Sequence, residues 1–343
     1  MKNIRNLTIV SIIIVYIVIL AGGTVRMTGS GMGCPDWPMC FGYLIPPTDR
    51  TDIEWKKNHS YKKNQIIILN DSLIYANKNF VSKDSILRDN WKNYTKHDYS
   101  KFNVYHTWIE YINRLIGAVA GLSVLILFIG SLKFVKKQRS ITILAFLSLT
   151  GILFQAWLGK MVVDSNLLAG KITIHMIMAI IIVSILFILL SKFNVKESNL
   201  ISSRYISNLT IISLIFLIIQ VFSGTEVRQF IDTEMLSNNY SNKDKWLINP
   251  PEIFYFHRSF SIIIIIVNSL IFLKLKKMII DSKIFKIIMM LLFIQILTGV
   301  IMYYFNFPFT TQPIHLLISS LIIGFQVYFY VLLNNKRNYG IKD

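Results

Sequence analysis

Three histidines stand near the starts of three long apolar segments, at positions His175, His257 and His315. An ionisable side chain inside a membrane span is costly and marks a candidate functional site. Two imidazoles from helices of one bundle can take both axial positions of a haem iron. The sequence therefore predicts that His257 and His315 form such a pair in the C-terminal half of the chain.

Two other uses of these histidines compete with haem binding. A single histidine often hydrogen-bonds a neighbouring helix, but three at matching positions favour a common cofactor role. Zinc prefers three or four ligands drawn from histidine, cysteine and carboxylates, and each half offers too few close candidates. Haem iron is therefore the favoured metal for all three histidines.

The N-terminal half differs because Asn113 occupies the position that corresponds to His257. Asparagine is not a usual axial ligand of haem iron. With His175 as its histidine ligand, the haem iron of this half is expected to have a sixth position that is open, weakly bound or filled by another residue. His106 is a candidate for that other residue. A coordinatively open iron suits chemistry, whereas a closed one suits electron transfer.

Glu110 lies three residues before Asn113, on the same face of a helix. In one interpretation it is a carboxylate beside the N-terminal pocket that accepts protons or stabilises a developing cation. In the other it is a favourable acid at a helix N-terminus that pairs with Arg114, four residues on. Its counterpart in the C-terminal half is Phe254, so the acid belongs only to the predicted reactive half.

Four arginines lie at the predicted outer edge of the spans. They either extend to lipid headgroups or bind haem propionates, which suit the forked guanidinium group. These four residues are Arg26, Arg114, Arg228 and Arg258.

The cysteines Cys34 and Cys40 are the only two in the chain. A structural disulfide is the favoured interpretation if this segment is exported, and a redox-exchanging pair is the alternative. Two cysteines are too few for a four-cysteine zinc site within one chain. The remaining histidines, His59, His97 and His106, lie in a polar segment and are expected to face solvent.

The elements that must position these residues are membrane spans. Of 343 residues, 53% are hydrophobic and 16% charged, and the mean hydropathy is +0.52. Apolar runs of the length that crosses about 30 Å of hydrocarbon predict an all-α integral membrane protein, and they exclude a soluble globular enzyme and an outer-membrane barrel. Eight runs are found, at residues 7–23, 108–132, 141–163, 172–191, 207–224, 254–273, 285–305 and 313–333.

The net charge is +18, and much of the basic excess lies in short loops beside apolar runs, where it sets orientation. Nucleic-acid binding is therefore not expected. Basic residues concentrate in alternate short loops and in both tails, which the positive-inside rule places in the cytoplasm. We therefore expect a multi-pass protein of the inner, cytoplasmic membrane, surrounded by membrane lipid. These basic residues include Lys2, Arg5, Lys133, Lys137, Lys192, Lys196, Lys274, Lys277, Lys336, Arg337 and Lys342.

Short motifs recur in the same order along the two halves. GTVR at 23–26 matches GTEVR at 224–228, and YINR at 111–114 matches YFHR at 255–258. Gln155 with Gly159 matches Gln295 with Thr298-Gly299, and IHM at 174–176 matches IHL at 314–316. Such parallel repeats predict two four-helix bundles, residues 1–192 and 193–343. The N-terminal half also contains the long loop 24–107, in which residues 50–104 are polar and are expected to form a partly disordered surface insertion.

Residues 22–31 (GGTVRMTGSG) and 34–42 (CPDWPMCFG) resemble the haem A synthase family. So do 110–114, 155–175, 256–258 and 313–315, and the resemblance covers 7–48 and 105–333. It implies eight spans in two haem-binding halves. It also implies an oxidoreductase that converts the C8 methyl of haem O into a formyl group, making haem A for terminal oxidases.

The same resemblance assigns roles to individual residues. His257 and His315 are implied to ligate a haem b that relays electrons, and His175 to belong to the site where haem O reacts through a hydroxylated intermediate. Glu110 matches the acidic residue of that site, and Cys34 and Cys40 match a disulfide. The implied partners are haem O synthase and cytochrome oxidase assembly factors, and a homo-oligomer stays open. The family pattern commonly has histidine where this chain has Asn113.

Two rival functions remain. Parallel repeats are common among transporters, so a haem or small-molecule transporter is one alternative. Histidines near the outer surface, in spans largely uninterrupted by proline, count against it. The other rival is a b-type cytochrome that passes electrons to a quinone, and only product analysis separates it from a haem-modifying enzyme.

Overall fold

The computed structural model describes residues 1–96, 102–193, 203–280 and 282–335. Within these ranges eight helices are long and apolar enough to cross a membrane, and each predicted span lies inside one of them to within one residue. The all-α, multi-pass architecture of the spanning part is therefore confirmed. The helices are α1 (Lys2–Met27), α2 (Val104–Ser131), α3 (Arg139–Val163), α4 (Ala169–Ser191), α5 (Arg204–Ser237), α6 (Glu252–Lys277), α7 (Lys283–Tyr304) and α8 (Thr311–Asn335).

Local signals set several helix boundaries. The hydroxyls of Ser203 and Ser282 accept hydrogen bonds from backbone amides in the first turns of α5 and α7, as N-caps do. Pro251 directly precedes α6. Proline is tolerated at the start of a helix because it lacks a backbone N–H, which would have no partner within the helix there. Residues Lys196, Lys336, Arg337 and Lys342, which contributed to the orientation argument, lie outside the described residues.

Helix α5 continues well beyond its predicted end at residue 224, as far as Ser237. Its last turns bury Val227, Ile231 and Met235, which recur every four residues along one face. This apolar stripe packs with Trp246 and Phe307 in a small separate core. The prediction stopped early because it followed continuous apolar runs, whereas this extension is apolar on one face only.

The segment between α1 and α2 is folded, so the expectation of partial disorder is wrong for its described residues. Strands β1 (Ser60–Tyr61) and β4 (Phe80–Val81) pair antiparallel. Strands β2 (Ile66–Leu69), β3 (Ser72–Ala76) and β5 (Trp91–Asn93) form a second antiparallel sheet in the order β2-β3-β5.

The average polarity of this insertion conceals a small apolar core. Ile67, Ile74 and Ala76 are buried with Tyr61 and Trp91. Isoleucine, tyrosine and tryptophan are strong strand formers, and together with Ala76 they bury enough apolar surface to order the segment. Residue His97, expected to face solvent, lies outside the described residues.

The chain forms two compact units. The described parts of the first unit, Met1–Gly23, Ala120–Leu153 and Met176–Asp343, surround an apolar helical core. Its fully buried side chains include Leu127, Ile141, Leu186, Phe285 and Phe329.

The second unit, Thr24–Val119 with Phe154–His175, contains the two small sheets. Its core is built around Cys34, Cys40 and Phe41. The division at residue 192 into two repeat-related halves stays a prediction.

Candidate functional site

Two of the three candidate histidines lie in the first compact unit. His257 is in the second turn of α6 and His315 is in the second turn of α8, because both helices begin before their apolar runs. The two side chains are close enough to interact electrostatically, and their joint binding of one haem iron stays a prediction.

Helix α5 holds His257 at three points. The Oγ of Ser223 lies 3.0 Å from Nδ1 of the imidazole ring, and Nε2 of Gln220 donates to the backbone carbonyl of His257 at 2.8 Å. A Cβ on Gly224 would stand 2.9 Å from Cε1 of the ring. Glycine is therefore required at position 224 if the ring is to pack against α5.

Helix α7 holds His315 in a closely similar way. The Oγ1 of Thr298 lies 2.8 Å from Nδ1 of the ring, and the Nε2 of Gln295 lies 2.9 Å from the ring Nε2. Gly299 faces the same ring, but a Cβ there would stand at an ordinary 3.6 Å. Both ring nitrogens of His315 therefore have polar partners from one neighbouring helix.

Sequence reasoning placed Gln295 and Thr298 in the repeat without giving them a role, and it missed Gln220 and Ser223. A signal was present in the spacing. Gln220-Val-Phe-Ser223-Gly224 and Gln295-Ile-Leu-Thr298-Gly299 share the pattern Gln-x-x-(Ser/Thr)-Gly. On a helix these positions lie on one face, where they meet the next helix.

His175 lies in the second compact unit, in the second turn of α4. The Nε2 of Gln155 donates to its backbone carbonyl at 3.0 Å, and a Cβ on Gly159 would stand 3.4 Å from its ring. Its Nδ1 is buried and has no hydrogen-bond partner in the part of the chain that the structure describes. The helix contact thus resembles that of His257, but the ring itself is not held.

Glu110 is buried on α2 and both of its carboxylate oxygens are engaged. Oε2 accepts a hydrogen bond from the backbone amide of Cys34 at 2.9 Å, and Oε1 forms an ion pair with Arg114. The guanidinium of Arg114 also donates to the backbone carbonyls of Asp36 at 2.7 Å and Met39 at 2.9 Å. The Glu110–Arg114 pair therefore anchors the loop 33–42. The pairing agrees with the structural interpretation of Glu110, but Glu110 lies in the second turn of α2 and not at its N-terminus. Arg114 was expected to contact lipid headgroups or propionates, and here it contacts this loop.

The loop 33–42 is closed by a disulfide between Cys34 and Cys40, as predicted. Neither cysteine is exposed, because Ile66, Ile68 and Leu73 of the insertion pack with them in one core. A partner thiol would have to displace this core to reach the sulfur atoms. The redox-exchanging alternative is therefore disfavoured in the folded chain.

Asp36 organises the same loop from inside. Its carboxylate accepts hydrogen bonds from the backbone amides of Phe41 at 2.6 Å and Gly42 at 2.8 Å. Burial raises the pKa of the Asp36 carboxyl above its ordinary value, and these amides and Arg114 only partly oppose the shift. From the insertion, Tyr94 donates its hydroxyl to the carbonyl of Pro35 at 2.6 Å.

Asn113 lies on α2 between Glu110 and Arg114 along the chain, and its Oδ1 is buried without a hydrogen-bond partner among the described residues. Within those residues no hydrogen bond joins His175 to Glu110 or Asn113. Asn113 is therefore a buried polar group whose carbonyl oxygen is unused. Whether His106 supplies the missing ligand stays a prediction.

The other predicted residues have separate surroundings. Arg228 donates to Oε1 of Gln312 at 2.5 Å and pairs with Asp232 at 2.6 Å, whereas Arg258 is exposed and stacks over Tyr255, 5.4 Å from the ring centre. Arg26 is half-buried at the end of α1.

His59 and His106 are half-buried, so the expectation that they face solvent is wrong. The ring of His59 packs edge-on against Tyr61 at 4.7 Å, and the backbone of His106 packs closely against Gly33.

Comparison with known proteins places the chain in a family. Residues 5–73 and 82–327 match the family described as cytochrome oxidase assembly protein, COX15-CtaA. A Heme A synthase of Rickettsia prowazekii (strain Madrid E) is 25% identical over 358 residues, covering 95% of this chain and 96% of its own. A Heme A synthase of Ehrlichia canis (strain Jake) is 23% identical over 335 residues, covering 92% and 88%. The family match spans most of the sequence, and the chain belongs to the COX15-CtaA family of cytochrome oxidase assembly proteins.

Proposed function

We propose that this chain is a haem A synthase, an oxidoreductase that converts the C8 methyl group of haem O into a formyl group. The observation that carries the proposal is the alignment of nearly the whole chain with nearly the whole of several Heme A synthases. A half-buried pair of histidines on neighbouring helices supports it independently, because such pairs bind haem iron.

His257 and His315 are assigned to a resident haem b. The side chains fit this group: both are half-buried imidazoles that interact electrostatically, and the absence of a Cβ at Gly224 keeps the space against the His257 ring. Gln295 would have to release the Nε2 of His315 first. When bound, haem b supplies one-electron transfer. Arg258 has an exposed guanidinium that suits a propionate, whereas Arg228 would first have to leave Gln312.

His175 is assigned to the site that binds haem O as substrate. Asn113, at the position where the family commonly has histidine, presents a carboxamide oxygen that is a poor ligand for haem iron. His175 is then the main ligand in this half, and Asn113 orients substrate through a polar contact. A haem with a single histidine ligand would be held less tightly than one with two, which suits a haem that must leave the site as product.

Glu110 acts first as an anchor in this proposal. Its Oε2 accepts the Cys34 amide, and its Oε1 accepts the Arg114 guanidinium. A proton released during methyl oxidation would reach Oε1 only if Arg114 moved away. Glu110 therefore has a positioning role for the loop 33–42, and proton transfer is secondary to that role.

The cellular setting follows from orientation and family. Basic residues in the loops and tails support an inner-membrane protein with both termini in the cytoplasm. The substrate would come from a haem O synthase, and the product would go to cytochrome oxidase through its assembly factors. A homo-oligomer is compatible with this arrangement.

Complementation tests the proposal. A bacterial strain that lacks its own haem A synthase is given this chain, together with a haem O synthase, and its membranes are examined for the absorbance of a haem A oxidase. Restored absorbance by the chain, and no restoration by its His175→Ala variant, is the expected result. If the chain loads with haem b but never restores the absorbance, the second candidate, a b-type cytochrome, takes its place, and Asn113 is the feature that favours it.

A further inference from the structure

The two C-terminal histidines share a hydroxyl contact that His175 lacks. The pattern Gln-x-x-(Ser/Thr)-Gly places Ser223 beside His257 and Thr298 beside His315. The corresponding segment of α3 reads Gln155-Ala-Trp-Leu158-Gly159, with leucine at the hydroxyl position. The glutamine and the glycine are kept in all three segments, so the hydroxyl is the element that varies.

The hydroxyl contacts determine where each ring carries its proton. The Oγ1 of Thr298 donates its only proton to the backbone carbonyl of Gln295 at 2.8 Å. At the 2.8 Å contact with His315 the hydroxyl must then accept, so the ring Nδ1 carries the hydrogen. The Nε2 of His315 therefore bears the lone pair, which matches the amide donor that Gln295 directs at it. The Gln295 side chain must turn away before this lone pair can bind a metal, because one lone pair serves one partner.

The same reasoning applies to His257. The Oγ of Ser223 donates to the carbonyl of Gln220 at 3.0 Å and accepts from the ring Nδ1 at 3.0 Å. Both C-terminal histidines thus carry a proton on Nδ1, and a neutral ring of this tautomer has its lone pair on Nε2. A histidine that ligates a metal usually has this arrangement, with its other nitrogen donating to a fixed acceptor.

His175 has no such acceptor. Its Nδ1 is buried without a partner among the residues that the structure describes, and Leu158 has no group that could supply one. Among the residues that the structure describes, no neighbour favours either tautomer of this ring and no hydrogen bond fixes its rotation. A ligand of this kind binds iron less tightly than one whose second nitrogen is hydrogen-bonded.

We propose that Ser223 and Thr298 are positioning residues that fix His257 and His315 as Nε2 ligands of a retained haem, and that Leu158 leaves His175 a weaker ligand whose haem can exchange. This inference rests on the proposed function and extends it: the resident cofactor is held by hydrogen-bonded ligands, whereas the substrate haem, which must leave as product, is not. One residue on each neighbouring helix sets the difference.

Substitution of the hydroxyls tests the first part. Thr298→Val keeps the shape of the side chain and removes the acceptor, and Thr298→Ser restores it. Thr225→Val is the matched control, because Thr225 is buried on α5 and bonds the carbonyl of Phe222. The full-length chain is purified in detergent, and haem b content, the dissociation constant for added haem b and the midpoint potential of the haem are measured.

We expect Thr298→Val to weaken haem b binding by about 10- to 100-fold and to raise the midpoint potential, since a ring that loses its acceptor donates less charge to ferric iron. Ser223→Ala should act in the same direction. Thr298→Ser and Thr225→Val should match the unsubstituted chain. Unchanged affinity and potential in Thr298→Val and Ser223→Ala would overturn the inference, as would an equal loss in Thr225→Val.

The reciprocal substitution Leu158→Thr tests the second part. It should strengthen haem binding, whereas a misfolded variant would bind haem more weakly. The variant is expected to retain a second haem through purification and to release it more slowly to an excess of apomyoglobin. Release at the unsubstituted rate would refute the role of Leu158. A chain that binds no haem at all would overturn the proposed function itself, whereas normal haem b binding with no effect of the hydroxyls overturns the inference alone.

Discussion

The close approach of His257 to α5 can be tested by adding one methyl group. In Gly224→Ala the new Cβ would stand 2.9 Å from Cε1, 3.4 Å from Nδ1 and 3.7 Å from Nε2 of the ring. Carbon atoms in favourable contact are about 3.5–4.0 Å apart, so the ring must move by several tenths of an ångström. That movement also disturbs the 3.0 Å contact between Nδ1 and Ser223.

The magnitude follows from a comparison with Gly299→Ala, where the added Cβ would stand 3.6 Å from the ring of His315. Both glycines lie inside helices, so both variants gain about 1 kcal/mol of helix propensity. The difference between them isolates the steric cost of overpacking, about 1–3 kcal/mol. Gly224→Ala is therefore the less stable of the two variants, by that amount.

The assay is thermal unfolding of both purified variants, with haem b content measured on the same samples. Gly224→Ala should unfold at the lower temperature and lose haem b, whereas Gly299→Ala should retain haem b and unfold no earlier than the unsubstituted chain. Equal behaviour of the two variants would refute the packing of His257 against α5, and with it the argument that α5 orients this ligand.

Three further predictions concern the second compact unit. Glu110→Ala should retain haem b but yield little product. Breaking a buried ion pair costs about 3–5 kcal/mol, so this variant should also loosen the loop 33–42, measured as faster proteolysis there. Under a reductant without denaturant, Cys34 and Cys40 should resist reduction, measured by gel shift with a thiol-reactive polymer; rapid labelling would contradict their burial. The raised pKa of Asp36 means that its folded state binds a proton more tightly than its unfolded state, so its contribution to stability falls as pH rises above 3.8. The unfolding temperature of Asp36→Asn should therefore rise relative to that of the unsubstituted chain between pH 4 and pH 7. A relative fall would show that the hydrogen bonds from the amides of Phe41 and Gly42 outweigh the effect of burial on the pKa of Asp36.

The spanning helices were predictable because lipid imposes a simple rule. A helix that crosses hydrocarbon must be apolar over about 20 residues, and continuous runs of that length mark α1 to α8 in the sequence. Beyond the continuous apolar runs, this rule about apolar length does not predict where a helix ends. The end of α5 lies beyond residue 224 and is held by Val227 and Ile231 against a local core, which a search for continuous apolar runs does not detect.

The insertion was misjudged because its average composition hides its pattern. Lysine, asparagine and aspartate dominate, but Ile66-Ile67-Ile68-Leu69 and the residues around Ile74 alternate with turns in the way that short strands do. Pairing between β3 and β5 joins residues 15 to 19 positions apart, and composition contains no information on such pairing.

The candidate site was predictable in its ionisable residues and less so in their supports. His175, His257, His315 and Glu110 stand out because charged or titratable groups inside spans are rare. Ser223 and Thr298 do not stand out, because hydroxyl residues are common in membrane helices and usually bond their own backbone. Their second contact, with a histidine of the next helix, is visible only once the helices are placed side by side.

The central claim, that this chain makes haem A from haem O, is tested most directly by the haems it produces. Membranes from cells that express the chain with a haem O synthase, and that lack any other haem A synthase, are extracted and the haems are separated by chromatography and identified by mass. If the chain is a haem A synthase, haem A or its hydroxylated precursor should appear in the extract only when the chain is present. Haem O that accumulates unchanged beside a chain fully loaded with haem b would contradict it.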